Sequence, residues 1–509
     1  MFARHLLMLD IDGLRPDILL EALAQNRVPH LAHLLGGHKL TRGVHIPAVS
    51  TGNSTTFCAQ ASLFTGAHPK DHGIQGNQFL NRFGTFENDR PRRLGLDSGD
   101  ILAFDDAFRV FASGFAAEQL RSATVYERYR PLGMRSVVAG NMYATGADHW
   151  IRPSFWRTGM MIKGKGPLKV QPQDCDRYVV KQLIKHIEQH GLPQIVTSYF
   201  MGIDKVSHDG GPAAQMAYLA DYIDPLVGEL WRCIEAHLAA DGELFVSIFS
   251  DHGQTEVTYD KHHALRIAPP LKDDLVYLLQ AWKRNLYRGP WQRLETTDVF
   301  MGINGGCATV YLRNLCGRWA DVPDFGRDIL PVAYAFWEGH RWGTYGPKLQ
   351  HALAGVFVRN VQKFGWDAPY QALTPDGSII SLEEWFAEHA EGSFVDPVNR
   401  LQNLVSPLAS DVLLLPNTDD GYYFGEPHAG NHGGLHPDES YATLFYGWPG
   451  ASEADWYEVK HHISAAIEAR CQEENGRQPS VADMLTGVDV FVKREEYRQL
   501  LASSQFVLK

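Results

Sequence analysis

Residues 5–13 read HLLMLDIDG. Apolar side chains fill both alternating faces as far as Leu9; carboxylates then enter at Asp10 and Asp12, and Gly13 ends the run. A run apolar on both faces suits a strand covered by helices on either side. Three further runs share the pattern: Arg135 to Asn141, Ile195 to Tyr199, and Leu244 to Ser250. Helical periodicity alternates with them. Arg177 to His190 reads as an amphipathic helix stopped by Gly191 and Pro193, and Ala214 to Ala240 as a longer one stopped by Asp241-Gly242. This alternation predicts a doubly wound α/β fold, with a mostly parallel sheet flanked by helices. Asp12-Gly13, Asp204 and Asp251-His252-Gly253 each follow one of these strands. Ligands of open α/β sheets bind beyond the carboxyl ends of strands, so these residues point to one shared site.

The 509 residues carry a net charge of −12, with 44% hydrophobic and 21% charged side chains. Those are globular proportions. An acidic balance argues against general nucleic-acid or anionic-membrane binding, which needs a basic face. A small anionic substrate remains compatible with it, because bound metal ions dominate the field inside one pocket. The six cysteines are scattered and form no CxxC pair, so neither a disulfide framework nor a cysteine zinc site is expected. No run of about 18 apolar residues suggests a membrane span. The chain opens on a strand holding two carboxylates, unlike a secretory leader, and the expected location is the cytoplasm. Gln78 to about Arg130 reads as loop-like and charged. Residues 256–420 read as a long insertion rich in Trp, Tyr and Arg, in which Asn304-Gly305-Gly306 precedes a strand from Cys307 to Leu312. The expected organisation is a catalytic core in two parts, 1–255 and 421–509, with 256–420 as a cap. Loops on a rigid sheet usually carry specificity, so this cap is expected to roof the site, its rings and guanidinium groups stacking and clamping a substrate.

Four constellations carry chemistry. Asp204 and His208 lie four apart and can share one helix face, offering a mixed oxygen and nitrogen donor set that zinc and manganese accept. Ser250-Asp251-His252-Gly253 can present adjacent ligands where the chain bends at glycine. Asn431-His432-Gly433-Gly434 offers another imidazole, with His428, His436, His262 and His263 as competitors. Ser54, Thr55 and Thr56 precede a helical run; each suits an N-cap, and a hydroxyl there lies in the positive field of the helix start.

In this order the motifs resemble the alkaline phosphatase superfamily, and within it the nucleotide pyrophosphatase/phosphodiesterase branch. The branch's Asp-Gly-Phe-Arg reads here as Asp12-Gly13-Leu14-Arg15. Its nucleophile run reads as Thr56-Phe57-Cys58-Ala59, then Leu63-Phe64-Thr65-Gly66, Pro69, His72-Gly73-Ile74 and Asn77. Its Asp-x-x-Gly-His segment reads as Asp204 to His208, with Ile203 in place of the preceding proline, and Cys58-Ala59 replaces Pro-Asn after the nucleophile. The resemblance covers roughly residues 1–255 and 425–490. It implies an alkaline phosphatase-like core and two divalent metal ions, zinc first and manganese as the alternative. Asp12, Thr56, Asp251 and His252 would hold one ion, and Asp204, His208 and His432 the other. Thr56 is implied as nucleophile by its register before Leu63 and Thr65-Gly66. Asn77 is implied to hydrogen-bond a phosphoryl oxygen, and Phe57 and Tyr199 to border the leaving group or substituent.

The expected activity is a phosphodiesterase or nucleotide pyrophosphatase, working through a phospho-threonine on a small phosphorylated substrate such as a nucleotide. A phosphomonoesterase or phosphonate hydrolase on the same site is the alternative. A catalytically inactive binding protein is the alternative of another class; the presence of all seven candidate ligands argues against it. A sulfatase would need Cys-x-Pro-x-Arg, whereas Cys58-Ala-Gln-Ala-Ser62 has neither the proline nor the arginine.

Overall fold

The computed structural model describes residues 4–84, 90–96, 106–164, 166–267, 274–289, 291–389 and 393–494. Its central sheet has seven strands. From one edge they are Gly43–His45, Leu444–Gly447, Glu243–Phe249, Arg4–Ile11, Ile195–Phe200, Ser136–Ala139 and His149–Ile151. Only Leu444–Gly447 runs against the others. All four strands expected from apolar runs are present. The first lies mid-sheet, its Asp10 level with Tyr199 on one side and Phe249 on the other. Sharing that register, the three central strands end together and deliver Asp12, Met201 and Ser250 to one edge. Two apolar layers bury the faces, one around Leu63, Phe64 and Tyr126, the other around Leu19, Val180 and Leu230.

Helix Pro172–His190 stands as expected, closed by Gly191. The long helix expected from Ala214 does not run straight through. A short helix at Gln215–Tyr218 passes into a π turn at Leu219–Ile223, and an α-helix resumes at Asp224–His237. Pro225 cannot donate into the preceding turn, and a π-bulge is one way a helix absorbs such a break. The stretch read as loop-like after Gln78 is more ordered than expected, with a hairpin of Gln78–Asn81 and Arg92–Gly95 and helices Asp106–Ser113 and Val125–Tyr129. Apolar groups there (Leu94, Val110, Phe115) pack into the core, although charge dominates the local sequence. Positions 85–89 and 97–105 lie outside the described residues.

Within 256–420 the chain builds a second, antiparallel sheet of six strands. Their order is Val299–Ile303, Ala308–Leu312, Val412–Pro416, Leu353–Arg359, Tyr370–Leu373 and Ile379–Ile380. Helix Leu330–Trp342 covers one face. A buried ion pair ties this sheet to the segment after Gln78. Asp411 Oδ2 accepts from Arg82 Nη2 at 2.8 Å and from Leu312 N at 2.7 Å, and both side chains of the pair are fully buried. Asp411→Ala would strand a buried guanidinium, a loss of about 3–5 kcal/mol, read as a lowered urea midpoint. A midpoint shift worth less than about 1 kcal/mol would contradict that reading.

Candidate active site

Beyond the central strands the predicted residues converge. Asp12 follows the mid-sheet strand, and Asp251 and His252 follow Glu243–Phe249. His252 Nε2 lies 3.5 Å from Asp12 Oδ1, 3.3 Å from Asp251 Oδ2 and 3.3 Å from Thr56 Oγ1. Helix Gly202–Gly210 starts just past the next strand and places Asp204 and His208 one turn apart. Asp204 Oδ1 is 3.3 Å from His208 Nε2 and 3.5 Å from His432 Nε2. The two groups touch, for the His252 and His432 rings stack with centroids 3.6 Å apart. Because of that stacking, His252 also falls within one donor cluster with Asp204 and His432, besides its cluster with Asp12 and Asp251. All seven residues assigned to metals by resemblance therefore lie in one place.

The donor set suits cations. Each imidazole is bonded through Nδ1 to a backbone carbonyl at 2.8 Å: His252 to Gly253, His208 to Gly430 and His432 to Ser54. With Nδ1–H donating, each Nε2 keeps a lone pair facing the cluster. Asp12 Oδ1 and Asp251 Oδ2 are buried and have no hydrogen-bond partner. Burial, with Asp251 and Asp204 alongside, raises the Asp12 carboxyl well above its usual range, and burial raises Asp251 too. Burial would also raise Asp204, yet His208 and His432 hold it low. Burial and the neighbouring His252 push His432 well below an ordinary histidine. Two touching groups of dehydrated carboxylates and imidazoles, with free carboxylate oxygens, could each hold a divalent cation.

Thr56 opens helix Thr56–Thr65. The three hydroxyls before and at the helix start separate cleanly. Ser54 Oγ donates to the Gly434 carbonyl and accepts from Gly433 N. Thr55 Oγ1 is buried without a partner, and only Thr56 faces His252. Asn77 Oδ1 accepts from Phe57 N at 3.1 Å, satisfying a helix-start donor and turning the amide nitrogen the other way. Tyr199 donates its hydroxyl to Asp12 Oδ2. Asn77, Phe57 and Tyr199 all line a cavity of about 550 Å³ that opens from Thr56, Asp12, Asp204 and His432. Cys58 points away, its thiol donating to the Ile74 carbonyl and pushed up to about 12 by burial.

Among the competing histidines, His436 caps helix Pro437–Ser440 and pairs with Asp419, while His262 and His263 sit against Asp260 and Tyr422. His428 is nearer, its ring centroid 4.6 Å from that of His208, and it lines the cavity. From the expected cap, Arg266, Tyr287, Arg288 and Phe300 reach the cavity. Among the described residues no tryptophan of that segment does; Trp319, Trp337 and Trp385 are buried in its own packing.

Other contributors escaped the sequence reading. Asp10 is fully buried and accepts from Gln60 Nε2 at 2.9 Å and Asn141 Nδ2 at 2.7 Å. Tyr143, two residues on from Asn141, donates to the Phe57 carbonyl. Residues two apart on a strand share a face, so the spacing of Asp10 and Asp12 held a signal that both meet the helix of Thr56. Gln254 Nε2 donates to Asp204 Oδ1 at 2.6 Å; nothing local in the sequence marks it. Gly433, at φ +120°, lets the loop of His432 lie against Asn304: a Cβ there would come within 1.7 Å of the Asn304 carbonyl oxygen.

The chain resembles several solved structures. An inactive variant of murine ectonucleotide pyrophosphatase/phosphodiesterase 5 in complex with AMP is 15% identical at a TM-score of 0.49, covering 90% of this chain and 94% of that one. The human ectonucleotide pyrophosphatase/phosphodiesterase 5 is 14% identical at 0.49, covering 94% and 96%. Phosphonoacetate hydrolase from Sinorhizobium meliloti 1021, in complex with phosphonoacetate, is 14% identical at 0.49, covering 87% and 90%. No curated protein matches the chain in sequence. No helix among the described residues is long and apolar enough to cross a membrane. Residues 6–312, well over half the chain, match the family model of type I phosphodiesterase / nucleotide pyrophosphatase; the chain belongs to that family, within the alkaline phosphatase superfamily, and is a hydrolase of phosphoric ester or anhydride bonds.

Proposed function

We propose that the chain is a two-metal phosphodiesterase of the nucleotide pyrophosphatase type, acting on a small phosphorylated substrate through a covalent phospho-Thr56 intermediate. The observation that carries this reading is the position of Thr56 Oγ1, 3.3 Å from His252 Nε2 and beside the free oxygens of Asp12 and Asp251. Asp12, Thr56, Asp251 and His252 would hold one ion, and Asp204, His208 and His432 the second. Bound there, divalent cations, zinc first and manganese second, supply Lewis acidity that lowers the threonine pKa and offsets charge on the phosphoryl and leaving oxygens. Thr56 Oγ1 attacks phosphorus, the bond to the leaving alcohol breaks, and the alcohol departs as the phosphoryl group transfers to Thr56. Water then attacks phosphorus from the vacated side, releases the phosphate product and regenerates the hydroxyl. Asn77, anchored through Oδ1 to Phe57 N, keeps its NH₂ for a phosphoryl oxygen, where charge grows in the transition state. Tyr199 holds Asp12 in orientation from below and borders the substituent together with Phe57.

We assign the catalytic core to residues 1–255 and 421–509 and the specificity-setting cap to 256–420, on the cavity residues that the cap supplies. The test compares methyl p-nitrophenyl phosphate with p-nitrophenyl phosphate, each with zinc and with manganese. The expected result is a kcat/KM at least about tenfold higher for the diester, about 1.4 kcal/mol of selective transition-state binding. Preference for the monoester would reassign the site to a phosphomonoesterase.

A further inference from the structure

The loop that carries His432 is held from outside itself. Gly433 and Gly434 follow the imidazole, and they offer only backbone groups for other segments to grip. Gly433 N donates to Ser54 Oγ at 3.1 Å, and Gly434 N donates to Glu439 Oε2 at 3.0 Å. The Gly434 carbonyl accepts from Ser54 Oγ at 2.9 Å and from Arg400 Nη2 at 3.0 Å.

Arg400 stands on helix Pro397–Gln402, within the segment 256–420. It is 3% exposed, and burial pushes it down to about 10, so it keeps its charge at neutral pH. A buried charge is costly unless it is paired and hydrogen-bonded, yet every acceptor this guanidinium meets is neutral. Nη1 bonds the Val395 carbonyl of its own segment. The remaining bonds leave that segment. Nε and Nη2 both reach the Thr51 carbonyl, at 3.2 and 2.7 Å. Nη2 also reaches Gly434, and Nη1 reaches Ser440 Oγ. Gly52 lies flat against the same helix, where a Cβ would come within 2.4 Å of the Arg400 carbonyl oxygen. One planar fork thus ties the loop before Thr56 to the loop after His432. The His432 ring depends on the same two loops, for its Nδ1 bonds the Ser54 carbonyl at 2.8 Å. Asp204 and His208 instead share helix Gly202–Gly210, and Asp12 and Asp251 follow central strands.

Resting on the reading of the site as a two-metal hydrolase, we propose that Arg400 is a positioning residue for the second metal ion. By clamping Gly434 to the Thr51 loop it holds the His432 imidazole beside Asp204. It thereby sets the affinity for the ion assigned to Asp204, His208 and His432. The segment 256–420 then helps to build the metal site as well as to line the cavity.

The experiment titrates zinc into the stripped full chain against a competing chelator, so that two dissociation constants are read separately. It also measures kcat and KM for methyl p-nitrophenyl phosphate at limiting and at saturating zinc. The variants are Arg400→Met, Arg400→Lys and, as a control for lost stability, Asp411→Ala, whose buried pair with Arg82 lies in the second sheet. Lysine keeps the charge but lacks the fork that spans two carbonyls, and it carries the test if Arg400→Met does not fold. The proposal expects both Arg400 variants to bind the second zinc at least about tenfold more weakly, the scale of losing a group that orients a ligand, and the first as the parent does. It expects kcat to fall at limiting zinc and to return at saturating zinc, with KM unchanged. Asp411→Ala should keep both constants. Unchanged affinity for the second zinc in the Arg400 variants overturns the proposal and leaves the two-metal reading standing. Equal weakening of both ions, matched by Asp411→Ala, also overturns it and reduces Arg400 to a support of the fold. A loss of kcat that saturating zinc does not restore overturns the route through His432. At most one zinc in the parent overturns the two-ion reading itself.

Discussion

Thr56→Ala lowers kcat by about 10³-fold or more, the scale seen when a covalent nucleophile is removed and only binding and transition-state electrostatics remain. The fold tolerates the change. Thr56 Oγ1 makes its hydrogen-bond contact with His252, Thr55 makes no side-chain cap bond, and the Phe57 N–H is satisfied by Asn77. The thermal midpoint therefore stays near that of the parent. Thr56→Ser keeps a hydroxyl at the same place and partial activity. Thr55→Ala removes a buried hydroxyl that has no partner and leaves turnover within a few-fold of the parent. Steady-state kinetics on these three variants, with mass spectrometry for a phosphorylated peptide containing residue 56, check the assignment. Near-normal turnover of Thr56→Ala, with loss in Thr55→Ala, would move the nucleophile by one position.

Stripping the protein with a chelator abolishes turnover and lowers Tm by roughly 5 °C. That is the shift expected when two sites, each filled at about 100 times its Kd, are emptied from a chain of this size, about 2–3 °C for each. The stabilisation comes from carboxylates that face one another in a dry pocket. Asp12 Oδ1 and Asp251 Oδ2 have no protein donor, so a cation bound there would compensate their burial. Elemental analysis of the reloaded protein gives two ions per chain. His432→Ala leaves the Asp12, Asp251 and His252 group whole and reduces the content toward one. At most one ion in the reloaded parent, or an unchanged Tm on stripping, would refute the two-ion assignment.

The central strands were legible because a buried parallel strand has no polar face, so its apolar run stands out in composition alone. The convergence of the candidate ligands at their ends was legible for a related reason: strand ends in such a sheet share one edge, so Asp12, Asp204 and Asp251 had to meet if the fold was right. The helix after Ala214 was legible in extent but not in form, since periodicity passed over the turn that Pro225 interrupts.

By itself the sequence determined the α/β alternation, the family and the residues that gather at the strand ends, because period, spacing and short motifs are local properties of the chain. Tertiary structure alone decided which of the three hydroxyls meets His252, since the turns of Ser54 and Thr55 depend on carbonyls and packing nearly 400 residues away. It decided that His432 rather than His436 joins Asp204, because Gly433 lets that loop lie against Asn304. It also decided the character of the cavity. Phe111, Ile162 and Phe300 sit in three separate segments, each ordinary on its own, and only long-range packing brings them to the one cavity that Thr56 also lines.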